Sequence, residues 1–396
     1  MRRPPRLSPP LILAPGAPSR PGRPSGGLVP PRPPVPHVDR RAALALLAGA
    51  ALAPAALAPA AARAQGFAGL GATADGYTIP DPARTLGFPA DHGPHPGFRI
   101  EWWYVTATLR APDGAPMGVQ WTLFRQAIAP DRSGAGGWGA ADLWLGHAAA
   151  TSGATHRAAE KFARGGIGQA GVVAGPPFNA WIDDWALAGG DLAGAGAPLM
   201  LAASGPGFAY RLKLTADKPL ALHGDGGISV KSDSGQTSRY YSQPWYRAAG
   251  TVTLGGNAIP VTGDAWLDRE WSSQPLAVDQ DGWDWFSLRL PSGAACMLFR
   301  LRHTDGHHYL SGSWITPDGS AAPIPSADIA LTPLATGTVA GRTLPIRWRV
   351  QVMSRGVDET LTPINQDAWM PLSFGYWEGP VASATGVTGY LEMTGY

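Results

Sequence analysis

Asp268 and Glu270, separated only by Arg269, stand in a tryptophan-rich run, with Trp266 and Trp271 on either side and Trp283, Asp284 and Trp285 a little downstream. A carboxyl group among large aromatic faces is costly to ionise, so it stays neutral and can donate a proton, and the same faces stabilise a cation formed by that donation. General acid chemistry on an apolar molecule is one reading of this run. The other is a surface charge cluster beside ordinary core tryptophans, since structural ion pairs also perturb acids.

The element that has to position these groups is a strand. If residues 264–271 are extended, the period of two puts Asp264, Trp266, Asp268 and Glu270 on one face and Ala265, Leu267, Arg269 and Trp271 on the other. Two acids in phase with Trp266 describe a pocket wall. In the second half, Asp284 is in line with Phe286, Leu288 and Leu290, while Trp283, Trp285, Ser287 and Arg289 share the opposite side. An acid on an apolar face needs a partner or a purpose.

The rest of the chain reads as β throughout. Short apolar runs such as 102–109, 118–125, 210–215, 250–254, 286–290, 297–303, 309–315 and 346–353 are bounded by turn pairs: Asp113-Gly114, Gly255-Gly256, Asp305-Gly306 and Asp318-Gly319. No helical period longer than a few turns lies outside the N-terminal region, which leaves an antiparallel sandwich or barrel. The first 38 residues are rich in Pro and Arg with no apolar period and cannot bury a core. Residues 39–64 carry Arg40-Arg41, an Ala/Leu run and Ala62-Arg63-Ala64 ahead of Gln65, the pattern of a twin-arginine export signal cleaved after Ala64. A periplasmic location is expected.

Removing that segment changes the charge. The chain has 31 basic and 29 acidic residues; taking away the nine arginines and one aspartate of residues 1–64 leaves 22 and 28, a net of −6. The basic character belongs to the export segment, so nucleic acid is not an expected partner. The single Cys296 lies in an apolar run and reads as a buried strand residue. His303, His307 and His308 flank a turn without further ligand spacing, so no metal or other cofactor is expected. There is no G-x-S-x-G elbow for a nucleophilic hydrolase.

The run GDAWLDREWSSQ followed by GWDWFSLRL resembles the signature of the AttH and carotenoid 1,2-hydratase (CrtC) family of lipocalin-like proteins, also described as predicted secreted hydrolases. Glu101-Trp102-Trp103-Tyr104, the strand from Gln120 to Arg125, Leu145-Gly146-His147-Ala148, Pro177-Phe178 with the stretch Trp181 to Trp185, and Lys218-Pro219 continue the likeness in the same order. The resemblance implies an all-β fold of two tandem lipocalin-like antiparallel barrels, here 65–271 and 272–396, holding one hydrophobic molecule in a barrel interior. It also implies acid-catalysed hydration of an isoprenoid or other lipid. The family's aromatic-x-Asp centre falls on Trp266 and Asp268, with Glu270 beside them as a third catalytic candidate. Its His-x-Trp motif falls on Tyr240 and Ser242, where both residues differ.

Further ligand-contacting candidates are Glu101, Trp103, Tyr104, His147, Tyr240, Trp271, Asp284 and Trp285. Glu101, in phase with Trp103, is either ion-paired with an arginine such as Arg125 or a pocket acid; His147 is a base or a satisfied core histidine. The alternative function is a non-catalytic carrier of lipid beside an ABC-type transporter permease. A monomer is expected in either case.

Overall fold

The computed structural model describes residues 74–130, 136–194, 196–274, 276–277 and 279–396. The N-terminal extension, the export signal and its cleavage site lie outside these residues. The sequence-expected runs are strands. The first sheet contains β1 (Ile100–Arg110), β2 (Pro116–Ala127), β3 (Asp142–Ser152), β4 (His156–Arg164), β5 (Ala170–Val173), β6 (Phe178–Ile182) and β7 (Trp185–Gly189). It continues with β8 (Leu199–Gly205), β9 (Phe208–Thr215), β10 (Ala221–Leu222), β11 (Ile228–Val230), β12 (Thr237–Leu254) and β13 (Asn257–Ser272). Its order is β4-β3-β2-β1-β13-β12-β9-β8-β7-β6-β5, with β10 and β11 pairing on β12.

The second sheet contains β14 (Gln280–Arg289), β15 (Ala295–His303), β16 (His308–Ile315), β17 (Ala321–Ile324), β18 (Ile329–Val339) and β19 (Arg342–Val352). It closes with β20 (Val357–Pro363), β21 (Trp369–Met370), β22 (Tyr376–Ala382) and β23 (Thr388–Met393), in the order β17-β16-β15-β14-β23-β22-β20-β19-β18 with β21 paired to β22. Every pairing is antiparallel, and the two sheets form one nearly closed barrel and one half-barrel of lipocalin-like architecture. The turn pairs read from the sequence sit where the chain reverses: Gly114, Gly255, Gly256, Gly306 and Gly319 all have positive φ, which a residue with a Cβ adopts only at a cost.

Each sheet buries one face inside its own barrel and the other against its neighbour. In β1, Trp103, Val105, Ala107 and Leu109 join Ala265 and Leu267 of β13 in the core of the first barrel. The interior is filled by these side chains and their partners on β2 to β9. In β14, Phe286 and Leu288 point into the second core, which also holds Cys296, its thiol pushed up to about 12 by burial. The alternate residues Tyr104, Tyr240, Trp266, Trp285, Met297 and Phe299 form a third apolar cluster, shared between the outer faces of the two sheets. The barrel interiors, where the resemblance implies ligand space, hold the two buried cores, and the apolar outer faces of the two sheets meet at the third cluster.

A candidate active site between the two barrels

A cavity of about 890 Å³, part of it open to solvent, lies where the outer faces of β1, β2, β12 and β13 meet those of β14, β15, β22 and β23. Aromatic rings line it on both sides, including Trp102, Tyr104 and Tyr240 from the first sheet and Trp283, Trp285, Phe299 and Tyr376 from the second. Asp268, Glu270, Glu392 and Lys231 are its charged groups.

Asp268 is buried at 2 % exposure and meets three neutral donors. The Tyr240 hydroxyl donates to Oδ2 at 2.6 Å, the Trp266 indole to Oδ1 at 2.6 Å, and the Ser242 hydroxyl also donates to Oδ1. Burial pushes its carboxyl up to about 7, against the pull of these donors toward ionisation. The Trp285 indole donates to the Tyr240 oxygen at 3.1 Å, so one hydroxyl relays between an indole of the second sheet and the acid of the first. Behind Ser242 lies His223, its Nε2 at 2.5 Å from the serine oxygen. Because Ser242 donates to the acid, His223 donates to Ser242, which fixes the Nε2 tautomer. Burial lowers the His223 pKa to about 3, keeping it neutral.

Glu270, two residues on, is held differently, with the Lys231 ammonium 2.8 Å away. That ammonium also lies over the rings of Tyr240 at 4.8 Å and Phe299 at 4.4 Å. On the opposite wall Glu392 accepts from the Trp283 indole at 2.6 Å, and burial pushes it up to about 7. Glu378 faces Glu392 directly across the β22–β23 ladder and accepts from the Tyr104 hydroxyl. Burial, with the neighbouring Glu392 charge, holds Glu378 well above the usual carboxylate range.

Of the residues singled out in the sequence, the fold brings Asp268, Glu270, Tyr104, Tyr240 and Trp285 to the cavity wall and sets Trp266 against the acid. His147 stands one step behind, its Nδ1 at 2.9 Å from the Tyr376 hydroxyl and its pKa lowered to about 3 by burial. Four others point away. Glu101 is a buried ion-pair residue that bridges Arg125 and Arg269, so the pocket-acid alternative is ruled out by its partners. Trp103 faces the first barrel's core, and Trp271 stacks on His95 at 3.9 Å between ring centres. Asp284 accepts from Arg300 at 2.7 Å, Arg302 at 2.8 Å and the Tyr396 hydroxyl at 2.7 Å on the far face of β14.

Sequence reading missed His223, Lys231, Glu378 and Glu392. The first two stand in loop-rich segments with no period, but Glu378 and Glu392 had a signal: each alternates with core residues of its strand, Trp377 for one and Leu391 and Met393 for the other. The three clustered histidines sit around the Asp305-Gly306 turn, and among the described residues no group of three or more His, Cys, Asp or Glu side chains is arranged to hold a metal ion.

A pair of lipocalin-like barrels joined over an acid-bearing aromatic cavity defines the class of protein. The chain belongs to the AttH-like family, whose model matches residues 79–396. Among solved structures it is similar to an AttH protein from Nitrosomonas europaea, at 32% identity over 81% of this chain and 99% of that one, with a TM-score of 0.70. Kievitone hydratase from Nectria haematococca shares the fold at 14% identity over 80% and 97% of the two chains, with a TM-score of 0.56. No curated protein matches the chain by sequence.

Proposed function

We propose that this protein binds a hydrophobic small molecule, of isoprenoid or other lipid type, between its barrels and adds water to it or removes water from it, with Asp268 as the general acid. The observation that carries this is Asp268 itself: a carboxyl that forms no ion pair among the described residues, in an aromatic cavity, with its pKa raised to about 7. At neutral pH a large fraction of it is protonated and able to protonate an alkene. The proton leaves Asp268 for one alkene carbon, and the cation at the other faces the rings of Trp285 and Tyr240 until water attacks. Tyr240, Ser242 and Trp266 then stabilise the carboxylate that remains, and the proton shed by the attacking water returns to it, which restores the acid. Kievitone hydratase, as a fold neighbour whose name denotes hydration, is in keeping with this reading.

The twin-arginine pattern of residues 39–64 supports export, and the mature protein is proposed to act in the periplasm, as a monomer. The second reading, a lipid carrier beside an ABC-type permease, is favoured by the aromatic lining of the cavity, which suits binding as well as catalysis. Mass spectrometry of organic extracts of the native protein identifies the bound molecule. Conversion of that molecule by the parent and its loss in Asp268→Asn supports the enzyme; unchanged cellular function in Asp268→Asn supports the carrier.

A further inference from the structure

The charges around the cavity are unequal, and the inequality bears on what it holds. Lys231 shows how the cavity treats a cation: its ammonium lies over the rings of Tyr240 and Phe299 and is neutralised by Glu270 at 2.8 Å. The remaining acids have no such partner. Asp268 accepts from Tyr240, Ser242 and Trp266, and Glu392 accepts from the Trp283 indole. Glu378, 1 % exposed and directly across the ladder from Glu392, accepts from the Tyr104 hydroxyl. Among the described residues no Lys, Arg or His forms an ion pair with any of these three. Aromatic faces beside Asp268 and Glu392, the two of these acids that line the cavity, attract a positive charge and, once these carboxyls ionise, repel a negative one.

We propose that the cavity selects a hydrophobic cation, an apolar chain or ring system bearing an ammonium-type charge, over neutral and anionic molecules of the same shape. The proposal rests on the reading that this cavity is the ligand site and names the class of ligand. The preference applies equally to a positive charge that develops during a reaction.

The pH dependence follows from the groups that face the ligand. Asp268 and Glu392 both titrate near 7; around them stand Glu270 and Lys231 on one side, Glu378 and Tyr376 on β22, Tyr104 on β1 and Trp283 on β14. The hydroxyls of Tyr104, Tyr240 and Tyr376 titrate well above 10 and stay neutral. Raising the pH from 6 to 8 therefore adds negative charge to the cavity, and a cation binds more tightly while an anion binds less tightly.

The test uses the full chain, with the fluorescent apolar probe N-phenyl-1-naphthylamine displaced by dodecyltrimethylammonium, dodecanol or dodecanoate below their micelle concentrations. At pH 8 the ammonium is expected to bind at least about tenfold more tightly than dodecanol, with dodecanoate weakest. The gap should narrow at pH 6 and close in the double variant Asp268→Asn/Glu392→Gln, whose side chains keep their size and whose fold is checked by circular dichroism. Equal or tighter binding of dodecanol or dodecanoate at pH 8 overturns the proposal. So does an ammonium preference that survives in the double variant, because it then belongs to the acidic surface. Failure of the folded parent to bind the probe at all overturns the cavity as the ligand site and is recognisable as that separate result.

Discussion

Two buried acids in this protein look alike in sequence and behave in opposite ways. Glu101 is neutralised by Arg125 and Arg269, which keep its carboxyl well below the usual carboxylate range despite burial. Glu101→Gln takes the ion-pair partner from the buried Arg269 guanidinium and one of two from Arg125, which keeps Asp142 at 2.9 Å, and denaturant unfolding should show a loss of about 3–5 kcal/mol. Asp268 has no counter-charge in ion-pair contact among the described residues, and burial raises its pKa to about 7, above the ordinary 3.8. The stability tied to an acid raised in this way is full below about pH 4 and is lost as pH rises through 7. Between pH 4 and pH 8 the difference in unfolding free energy between Asp268→Asn and the parent should therefore move in favour of the variant by roughly 2–4 kcal/mol. A difference that stays flat with pH would mean that the acid is ionised and paired. Tyr240→Phe removes the donor at 2.6 Å that favours the charged form, so carboxyl titration by carbon-13 NMR should place Asp268 above its parental value.

At the scale of elements, the site depends on strands that serve two cores at once. β1 and β13 are paired in register, Tyr104 opposite Asp268 and Trp103 opposite Arg269. The even-numbered members of these pairs face the cavity and the odd-numbered ones the first barrel, so a slip of one residue would exchange the acid for Arg269. The two sheets approach closely beside the cavity, where β2 carries Gly118. A Cβ on Gly118 would lie 2.7 Å from Pro380 of β22 and 2.8 Å from the Tyr390 hydroxyl of β23, and neither rigid neighbour gives way easily. Gly118→Val should wedge the sheets apart, costing about 1–3 kcal/mol and weakening binding of an apolar probe. Chemical denaturation and fluorescence titration of the same sample measure both effects.

At the scale of the whole molecule, the described residues form one compact unit, tied together by the third apolar cluster and by hydrogen bonds such as Tyr104 to Glu378 and His147 to Tyr376. A half-barrel cut out alone exposes the rings of Trp285 and Phe299 to water. The fragment 280–396 should therefore fail to give a cooperative unfolding transition, whereas the intact chain unfolds in one step by both tryptophan fluorescence and circular dichroism. For the export proposal, sequencing the N-terminus of envelope protein should return Gln65, and replacing Arg40 and Arg41 by Lys should retain the unprocessed chain in the cytoplasm.

The sequence by itself determined eight of the strand-forming runs and the turns that bound several of them, because period-two alternation and glycines at reversals are local properties. It also determined that Asp268, Trp266 and Glu270 share a face and that Asp284 lies on the other side of its strand from Trp285. Only the tertiary structure decided which of two apolar faces encloses a core and which a cavity, since Trp103 and Trp102 are chemically the same residue until a second sheet covers one of them. It also decided the state of each acid. Whether Glu101 meets arginine, Glu270 meets lysine or Asp268 meets only neutral donors is set by residues distant in sequence, and these long-range partners separate a brace from an acid that can give up its proton.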